Sequence, residues 1–477
     1  MSVINTNVSS LIAQQNLAKS NAALQTSLQR LSTGLQINTG ADNPSGLIAS
    51  QGLQAEISGI NQAVSNSTQA TNVISTADGA LSQVENLLQT LNGLIVQSAN
   101  TGALSSTEIS ANQIQADSAI QSITRIANAT SFDGLQLLDG GLDFVTSGVN
   151  SNALSGLQIT QADFGTQATI PVSINVIASA KTAELDFATS SLTQSATLEI
   201  QGTSGVQTLS FVSGTTASAI AFAVNSISDA TGVSASLINS ANALSGITFN
   251  STGYGTSQFV SITAQTGQFT TTNAAGNAES RATGANAVAT VNGVLTVGNG
   301  LNLQLTTSSL DLNLTLNPTF GNQSTSFTIT GGGARFQLGA QVNSVQQVTL
   351  GIQSVAASNL GNSTVGFLND IVTGGDASLV SGQTEKASQI INAAIQQVAI
   401  LRGQIGAFQA NTLETNINSL NIALENVTSS ESDITDTNFA AETSNLTRAQ
   451  ILTQAGTSIL ATANSTPQEV LTLLQGH

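Results

Sequence analysis

The side chains that carry acid–base, nucleophilic or metal chemistry are scarce in this chain. Imidazole occurs once, at His477, so neither a His-based triad nor a two-His zinc motif can be assembled from one copy. Cysteine is absent, which removes thiolate nucleophiles, thiolate metal sites and any disulfide framework. The 26 Asp and Glu are scattered, as solvated charges are, and form no pair suited to general acid and base work. The glycine cluster "TGGGARF", at Gly331 to Gly333, lacks the following helix and Lys of a phosphate loop and reads as a flexible return linker. The expectation is no catalytic residue, no metal site and no cofactor. Sequons at Asn66 ("NST") and Asn128 ("NAT") arise easily in a chain so rich in Asn, Ser and Thr and are read as accidental.

Composition narrows the partners as well. Nine Lys and Arg against 26 acids leave a net charge of −17, the opposite of what a phosphate backbone requires, so nucleic acid is excluded. With 477 residues, 40% apolar and 7% charged, the chain has material for several domains with a core. Trp is absent and Tyr occurs once, so the aromatic anchors of a ligand pocket are missing. The start "MSVINTNVSSLIAQQN" has no secretory pattern, and no run approaches the roughly 18 apolar residues of a membrane span. No membrane insertion is expected, and a secreted chain would need another route.

What must be positioned, then, is apolar seams. Leu17, Leu24, Leu28, Leu31 and Leu35 fall on one helical repeat, and Leu53, Ile57, Ile60 and Val64 resume it. Between them, "RLSTGLQINTGADNPSGLIAS" breaks the rod: Gly34, Gly40 and Gly46 permit unusual dihedrals and Pro44 pushes Asn43 out of helix. Gly34, Gly40 and Pro44 are the expected hinge between two bundle layers. A very long helix from Leu47 to Ala99 carries Ile74, Leu81, Val84, Leu88, Leu91 and Ile95, and a shorter one carries Ile114, Ile120, Ile123 and Ile126. Phe132, Asp133 and Gly134 make a turn, and "LQLLDGGLDFVTSG" then has the Asp-Gly signal of a hairpin. From Ser151 to Ala334 short β-type runs such as "IPVSINVI" and "DLNLTLNP" alternate with turns, around one helix in "TTASAIAFAVNSISDATG". "ARFQLGAQVNSVQQVTLGIQSV" gives two more strands.

Helix returns at Ile391, Ala394, Val398, Leu401, Ile405 and Phe408, and the seam slips by one residue to Leu413, Ile417, Leu420, Leu424 and Val427. A terminal helix of about 38 residues follows, with Ala449, Leu452, Ile459, Ala463, Val470 and Leu473, and with Ser432 or Asp436 as its expected cap. Seamed ends and an unseamed middle make the fold class α+β: a long α-helical coiled-coil core formed by both termini, with a β-rich inserted outer domain.

The motifs "VINTN", "RLSTGLQIN", "DNPSGLIAS" and "DGALSQVENLLQTLNGLIVQSAN" at one end resemble bacterial flagellin. So does "ITDTNFAAETSNLTRAQILTQAGTSILATANSTPQEVLTLL" at the other. The resemblance covers about residues 1–150 and 335–477. Within the middle, "TLEIQGTSGVQTLSFVSGTTASAIAFAVNSISDATGVSASL" is similar to a small motif of flagellin and hook-protein insertions, and "ANAVATVNGVLTVGNGLNLQL" to another insertion segment.

The resemblance implies a structural subunit polymerising into the extracellular flagellar filament for motility. It implies a terminal-helix core domain at 1–44 and 434–477, an inner bundle with a β-hairpin at 45–150 and 335–433, and a variable outer domain at 151–334. Expected partners are further copies of the chain in a helical homopolymer, the flagellar export chaperone and type III export apparatus, and the cap and hook-filament junction proteins. Ile4, Val8, Leu11, Leu24, Leu28, Leu31, Leu452, Ile459, Val470 and Leu473 are the candidate self-assembly core. Exposed Ser and Thr of the outer domain are candidates for O-glycosylation. In "QTLNGLIVQ", strongly sensed members carry basic residues for the Toll-like receptor that detects the family. Here Gln89, Leu94 and Gln97 stand beside Thr90 and Asn92, so the innate-receptor segment is weakened. Alternatives are a hook-filament junction protein of the same axial family, or a secreted adhesin whose middle domain binds glycan.

Overall fold

The computed structural model describes residues 6–242 and 245–475; Ile4 and His477 lie outside the described residues, as do the side chains of Val470 and Leu473. The chain is α+β, with long helices at both ends and a β-rich insertion. Its helices are α1 (Val8–Thr33), α2 (Pro44–Ser98), α3 (Ser106–Ala129), α4 (Ala217–Asn225), α5 (Ser228–Thr231), α6 (Thr384–Ala407), α7 (Thr415–Thr435) and α8 (Phe439–Gln475). Two compact units divide it, one of Met1–Thr68, Leu338–Gln341 and Glu414–His477, the other of Gln69–Gln337 and Val342–Leu413.

In the second unit the helices follow a coiled-coil rule. Buried positions on α2 run Ala70, Ile74, Ala77, Leu81, Val84, Leu88, Leu91 and Ile95, in threes and fours without a slip. On α6 they run Ala387, Ile391, Ala394, Val398, Leu401 and Ile405. Arg402 ties α6 to α2, donating from Nε to Asp78 at 2.9 Å and from Nη1 to Glu85. On α3 the buried face is Gln113, Ala116, Ile120, Ile123 and Ala127, whereas Ile114, expected in the seam, is exposed. Gln113 belongs inside because its amide donates to Ile371 O at 2.9 Å and accepts from Leu379 N at 2.6 Å. A capping box starts α3: Glu108 accepts from the Ser105 amide, which holds its carboxyl below the ordinary range.

The one-residue slip of the seam has a physical form. Phe408–Glu414 is a π-helical turn, and five residues rather than four separate Phe408 from Leu413, both buried. One extra residue in the turn rotates the apolar stripe back into line.

Of the two turn signals, the one at Phe132, Asp133 and Gly134 closes a hairpin, and the one at Asp139-Gly140 does not. Ser131–Phe132 pairs with Leu135–Gln136 across Asp133 and Gly134, whose φ of 50° and 81° are those of a tight type I′ turn.

Beyond it lie two nested β cores. The first is formed by two antiparallel five-stranded sheets. One runs Val294–Val297, Val288–Val291, Ile170–Ala178, Ser324–Gly332, Phe144–Ser147; the other runs Asn302–Thr306, Leu310–Leu316, Leu154–Ala162, Gln347–Leu350, Ala334–Gln337. Strand Leu310–Leu316 shows the cause, burying every second residue of "LDLNLTL". Val172, Ile174, Leu312, Leu314, Phe327 and Ile329 fill the space between. The β-rich region is therefore wider than 151–334, because Phe144–Ser147 and Gln347–Leu350 are strands of these sheets. Nor is Gly331 to Gly333 a flexible linker. A Cβ on Gly332 would sit 2.2 Å from Asp143 O and one on Gly333 2.5 Å from Thr349, at φ of 88° and 79°, so the turn requires glycine there.

The second core holds a three-stranded and a four-stranded sheet with α4, around Leu185, Leu198, Ile200, Ile220, Val224 and Phe249. The chain enters it at Lys181 and leaves at Ala285, which exchange backbone hydrogen bonds of 2.8 and 3.0 Å.

Candidate self-assembly interface

The first unit is built on an antiparallel pair, α1 with α8. Asn7 Nδ2 donates to Ala463 O at 2.8 Å, Ser10 Oγ to Asn464 Oδ1 at 2.7 Å, and Arg30 faces Glu442 at 3.8 Å. Asn7 also caps α1, its side chain accepting from Ser10 N at 2.9 Å. α8 is capped by Asn438, whose Oδ1 accepts from Ala441 N at 3.1 Å, rather than by Ser432 or Asp436. Those two residues belong to the last turn of α7 and its C-cap, where the backbone is still engaged with α7.

The residues that α1 covers are Ser10, Ala13, Leu17, Ser20, Leu24, Ser27 and Leu31. On α8 they are Glu442, Leu446, Ala449, Thr453, Gly456, Leu460 and Ala463. Both sets step by threes and fours, and small residues alternate with leucine so that the backbones approach closely. Leu17 packs over Gly456, where a Cβ would come 3.2 Å from Leu17 Cδ1. Large apolar residues alone do not mark this seam, since more than half of its positions are Ser, Ala, Thr or Gly; the unbroken three-four spacing from Ser10 is the available signal.

The candidate assembly residues divide accordingly. Leu24 and Leu31 lie half-buried inside the α1–α8 seam. Val8, Leu11, Leu28, Leu452 and Ile459 do not; they face outward, with exposures from 49% at Leu28 to 59% at Ile459. Ile12 and Ile451 extend the same outward surfaces. Each terminal helix thus has one line of residues covered by its own chain and large apolar residues left bare beside or across from it.

The joint between α1 and α2 is constructed in detail. Gly34 ends α1 in the left-handed region at φ 76°, its N–H donating to Arg30 O at 2.9 Å. Pro44 is the first residue of α2, and Asn43 caps it by accepting from Gly46 N at 3.0 Å. Asp42 accepts from the backbone N–H and hydroxyl of Thr39 and from Asn38 N, contacts that hold its carboxyl below the ordinary range. The segment is stitched to the return chain, Gln36 N donating to Thr435 O at 2.7 Å and Thr437 N to Gly34 O at 2.8 Å. At Gly40 a Cβ meets only Leu47, at an ordinary 3.6 Å, whereas at Gly46 it would lie 2.6 Å from Ile37 and Asn43. Close packing therefore constrains Gly46 more than Gly40.

Along "QTLNGLIVQ", Gln89, Thr90, Val96 and Gln97 are exposed and Asn92 is half-buried. Leu94 is 8% exposed and belongs to the chain's own seam beside Leu91 and Ile95. Among the described residues there is no group of three or more His, Cys, Asp or Glu that could hold a metal, and no helix long and apolar enough to cross a membrane.

Family models place this architecture. The bacterial flagellin N-terminal helical region matches residues 4–142, the C-terminal helical region residues 388–474, and the flagellin hook IN motif residues 197–253, within the second β core. The chain is 30% identical to a flagellin of Salmonella rubislaw over 99% of both chains. It is equally similar, at 30% over 99% of both chains, to the B-type flagellin of Pseudomonas aeruginosa and to flagellin D of Vibrio anguillarum. With helical ends matched on both sides of its insertion and relatives that align from end to end, the chain belongs to the bacterial flagellin family and is a subunit of the flagellar filament.

Proposed function

We propose that the chain polymerises through the bare faces of α1 and α8, with Val8, Leu11, Leu28, Leu452 and Ile459 as the residues that neighbouring copies cover. The carrying observation is that these five are about half exposed although their helices already bury another line of residues against each other. Burying a Leu or Ile contributes roughly 1.5 to 3 kcal/mol, and ordering the helices offsets part of it, so assembly and completion of the terminal fold proceed together. A contact between unlike faces of identical copies does not close and generates an open helix, which is a filament.

The terminal-helix core is assigned to 1–44 and 434–477, the inner bundle to 45–150 and 335–433, and the joint at Gly34, Gly40 and Pro44 sets the angle between layers. The subunit is secreted through the flagellar type III export apparatus with an export chaperone, and meets the cap and hook-filament junction proteins at the filament ends. Absence of cysteine suits a chain that must be threaded, and no step asks for catalysis, a metal or a cofactor. The junction-protein and adhesin alternatives are not favoured, since full-length similarity is to flagellins.

Replacing Leu452 and Ile459 together by Ser tests the assembly face. Removing two half-covered apolar contacts from every interface raises the critical concentration for polymerisation at least tenfold, while thermal unfolding of the β cores is unchanged. Sedimentation of filaments measures the first and circular dichroism the second. An unaltered critical concentration would show that these faces stay bare in the filament.

Receptor recognition follows from the exposed side of α2. Thr90 spends its hydroxyl on Asn86 O, at 2.9 Å within its own helix, and Leu94 is turned inward. An Arg makes directed, charge-assisted bonds that Thr and Asn cannot, and losing such an interfacial anchor costs about 2 kcal/mol, roughly thirtyfold in affinity. Monomeric protein is expected to activate the flagellin-sensing Toll-like receptor weakly, and Thr90→Arg with Asn92→Arg to recover part of the response. A reporter-cell titration showing full potency for the unmodified monomer would reject this.

A further inference from the structure

Basic side chains are rare here, nine in the whole chain, and three of them line one groove. The groove runs between α1 and α8, encloses about 450 Å³, and is bordered by Lys19 and Arg30 on one helix and Arg448 and Leu452 on the other. Small residues line it too, Ala449 buried and Ala23 exposed. Glu442 is the one acid in it, and it is already engaged by Arg30 at 3.8 Å and by Asn445 Nδ2 at 3.4 Å. Arg30 Nε is buried there and, among the described residues, has no hydrogen-bond partner. Lys19 and Arg448 are exposed, so the groove presents net positive charge on a chain whose total is −17.

The same unit carries a surface of complementary character. Along the outward side of α7, Ile422 is 62% exposed and is followed at helical spacing by the exposed carboxylates Glu425 and Asp433. Eight residues separate the two acids, about 12 Å at 1.5 Å per residue, and eleven separate Lys19 from Arg30, about 16 Å. An α7 stripe of that length fits within the groove, its acids against Lys19, Arg30 and Arg448 and its isoleucine against Leu452. Elsewhere two copies of so acidic a chain repel each other; here they attract.

We propose that the α1–α8 groove receives the Ile422–Glu425–Asp433 face of α7 from a second copy, so that charge fixes the register of neighbours whose apolar stripes alone would slide. A groove on one copy and a helix face on the next make a head-to-tail contact, which propagates without closing. The inference rests on the filament reading and adds to it which surfaces meet.

Charge exchange tests it on full-length protein. Lys19→Glu with Arg448→Glu is expected to raise the critical concentration at least tenfold, and Glu425→Lys with Asp433→Lys to do the same. Each variant then places like charges together. Mixed in equal amounts, the two variants are expected to co-polymerise near the wild-type critical concentration, because each groove now has an opposite-sign partner in the other protein. Electron microscopy and sedimentation read both results. Polymerisation of either variant alone at wild-type concentrations overturns the groove contact, and two assembly-deficient variants that fail to rescue each other overturn α7 as its occupant. Failure of the wild-type protein to form filaments in the same buffer would count against the filament reading itself.

Discussion

A chain ending at Thr437, and so lacking α8, forms no filaments at concentrations where the intact protein polymerises, while its two β cores unfold at the temperature found for the full chain. The cause lies in the α1–α8 seam. Without Leu446, Ala449, Gly456, Leu460 and Ala463, the face of α1 formed by Ala13, Leu17, Leu24 and Leu31 has nothing to cover it. An isolated helix of 26 residues with polar and small side chains is marginal in water, so α1 frays as well, and both bare apolar stripes are lost together. Covering five or six Leu, Ile and Val positions contributes on the order of 10 kcal/mol, more than the ordinary reserve of an assembly contact can replace. The β cores are spared because their residues pack on one another. Negative-stain microscopy and thermal circular dichroism on the truncated protein measure the two halves of this result. Normal filaments from the truncated chain would mean that α8 is dispensable and that the polymer is held by other surfaces.

The terminal seams also show what was legible in the residues before any coordinates. Spacing in threes and fours announced every long helix, because burial along a helix repeats with its turn and large apolar residues mark it. The slip of the seam between Phe408 and Leu413 was visible as a one-residue offset, but that a π-helical turn absorbs it was not. Periodicity was less informative about partners. It placed Leu452 and Ile459 in one stripe with Ala449 and Ala463, but the chain uses the small-residue line through Ala449, Thr453, Gly456 and Ala463 for itself and leaves the bulky line outside. Hydrophobicity says that a side chain will be covered, not by which copy.

Local turn chemistry was the least legible part. Gly331 to Gly333 suggests flexibility by composition, yet tertiary contacts with Asp143 and Thr349 demand glycine at the last two positions. Asp139-Gly140 and Asp133-Gly134 are equally good hairpin signals in isolation; pairing of Ser131–Phe132 with Leu135–Gln136 decides for the second. The groove of Lys19, Arg30 and Arg448 was illegible for another reason. Its basic residues lie at distant points of the chain and meet only when α1 and α8 pair.

Excision of the second β core is expected to leave filament assembly intact, whereas a wider excision that also cuts the five-stranded sheets does not. Lys181 and Ala285 are a hydrogen-bonded pair at the entrance of that core, the geometry that a two-residue Asn-Gly turn closes. A chain in which Asn-Gly replaces Thr182–Gly284 therefore keeps both five-stranded sheets. What departs is a self-contained core, including Phe187 stacked on Phe269 at 4.0 Å and Phe249 set edge-on to the same ring at 6.0 Å. The remaining core loses only the packing of Tyr254, about 2 kcal/mol, which lowers its unfolding temperature by several degrees. Cutting instead at the composition boundaries, Ser151 to Ala334, removes the strand Ser324–Gly332 that pairs with Phe144–Ser147. It also removes Leu154–Ala162, the neighbour of Gln347–Leu350. Phe144, 7% exposed in that core, then loses its packing partners, Phe144–Ser147 is left unpaired, and Gln347–Leu350 keeps only Arg335–Gln337 beside it. An uncovered Phe costs about 2 to 3 kcal/mol and the bare strand edges offer ready pairing to other copies, so this protein aggregates rather than assembles. Electron microscopy of both excised proteins, with their unfolding temperatures, separates the cases. Loss of filaments from the smaller excision, with its unfolding still cooperative, would show that the second core supplies contacts between subunits.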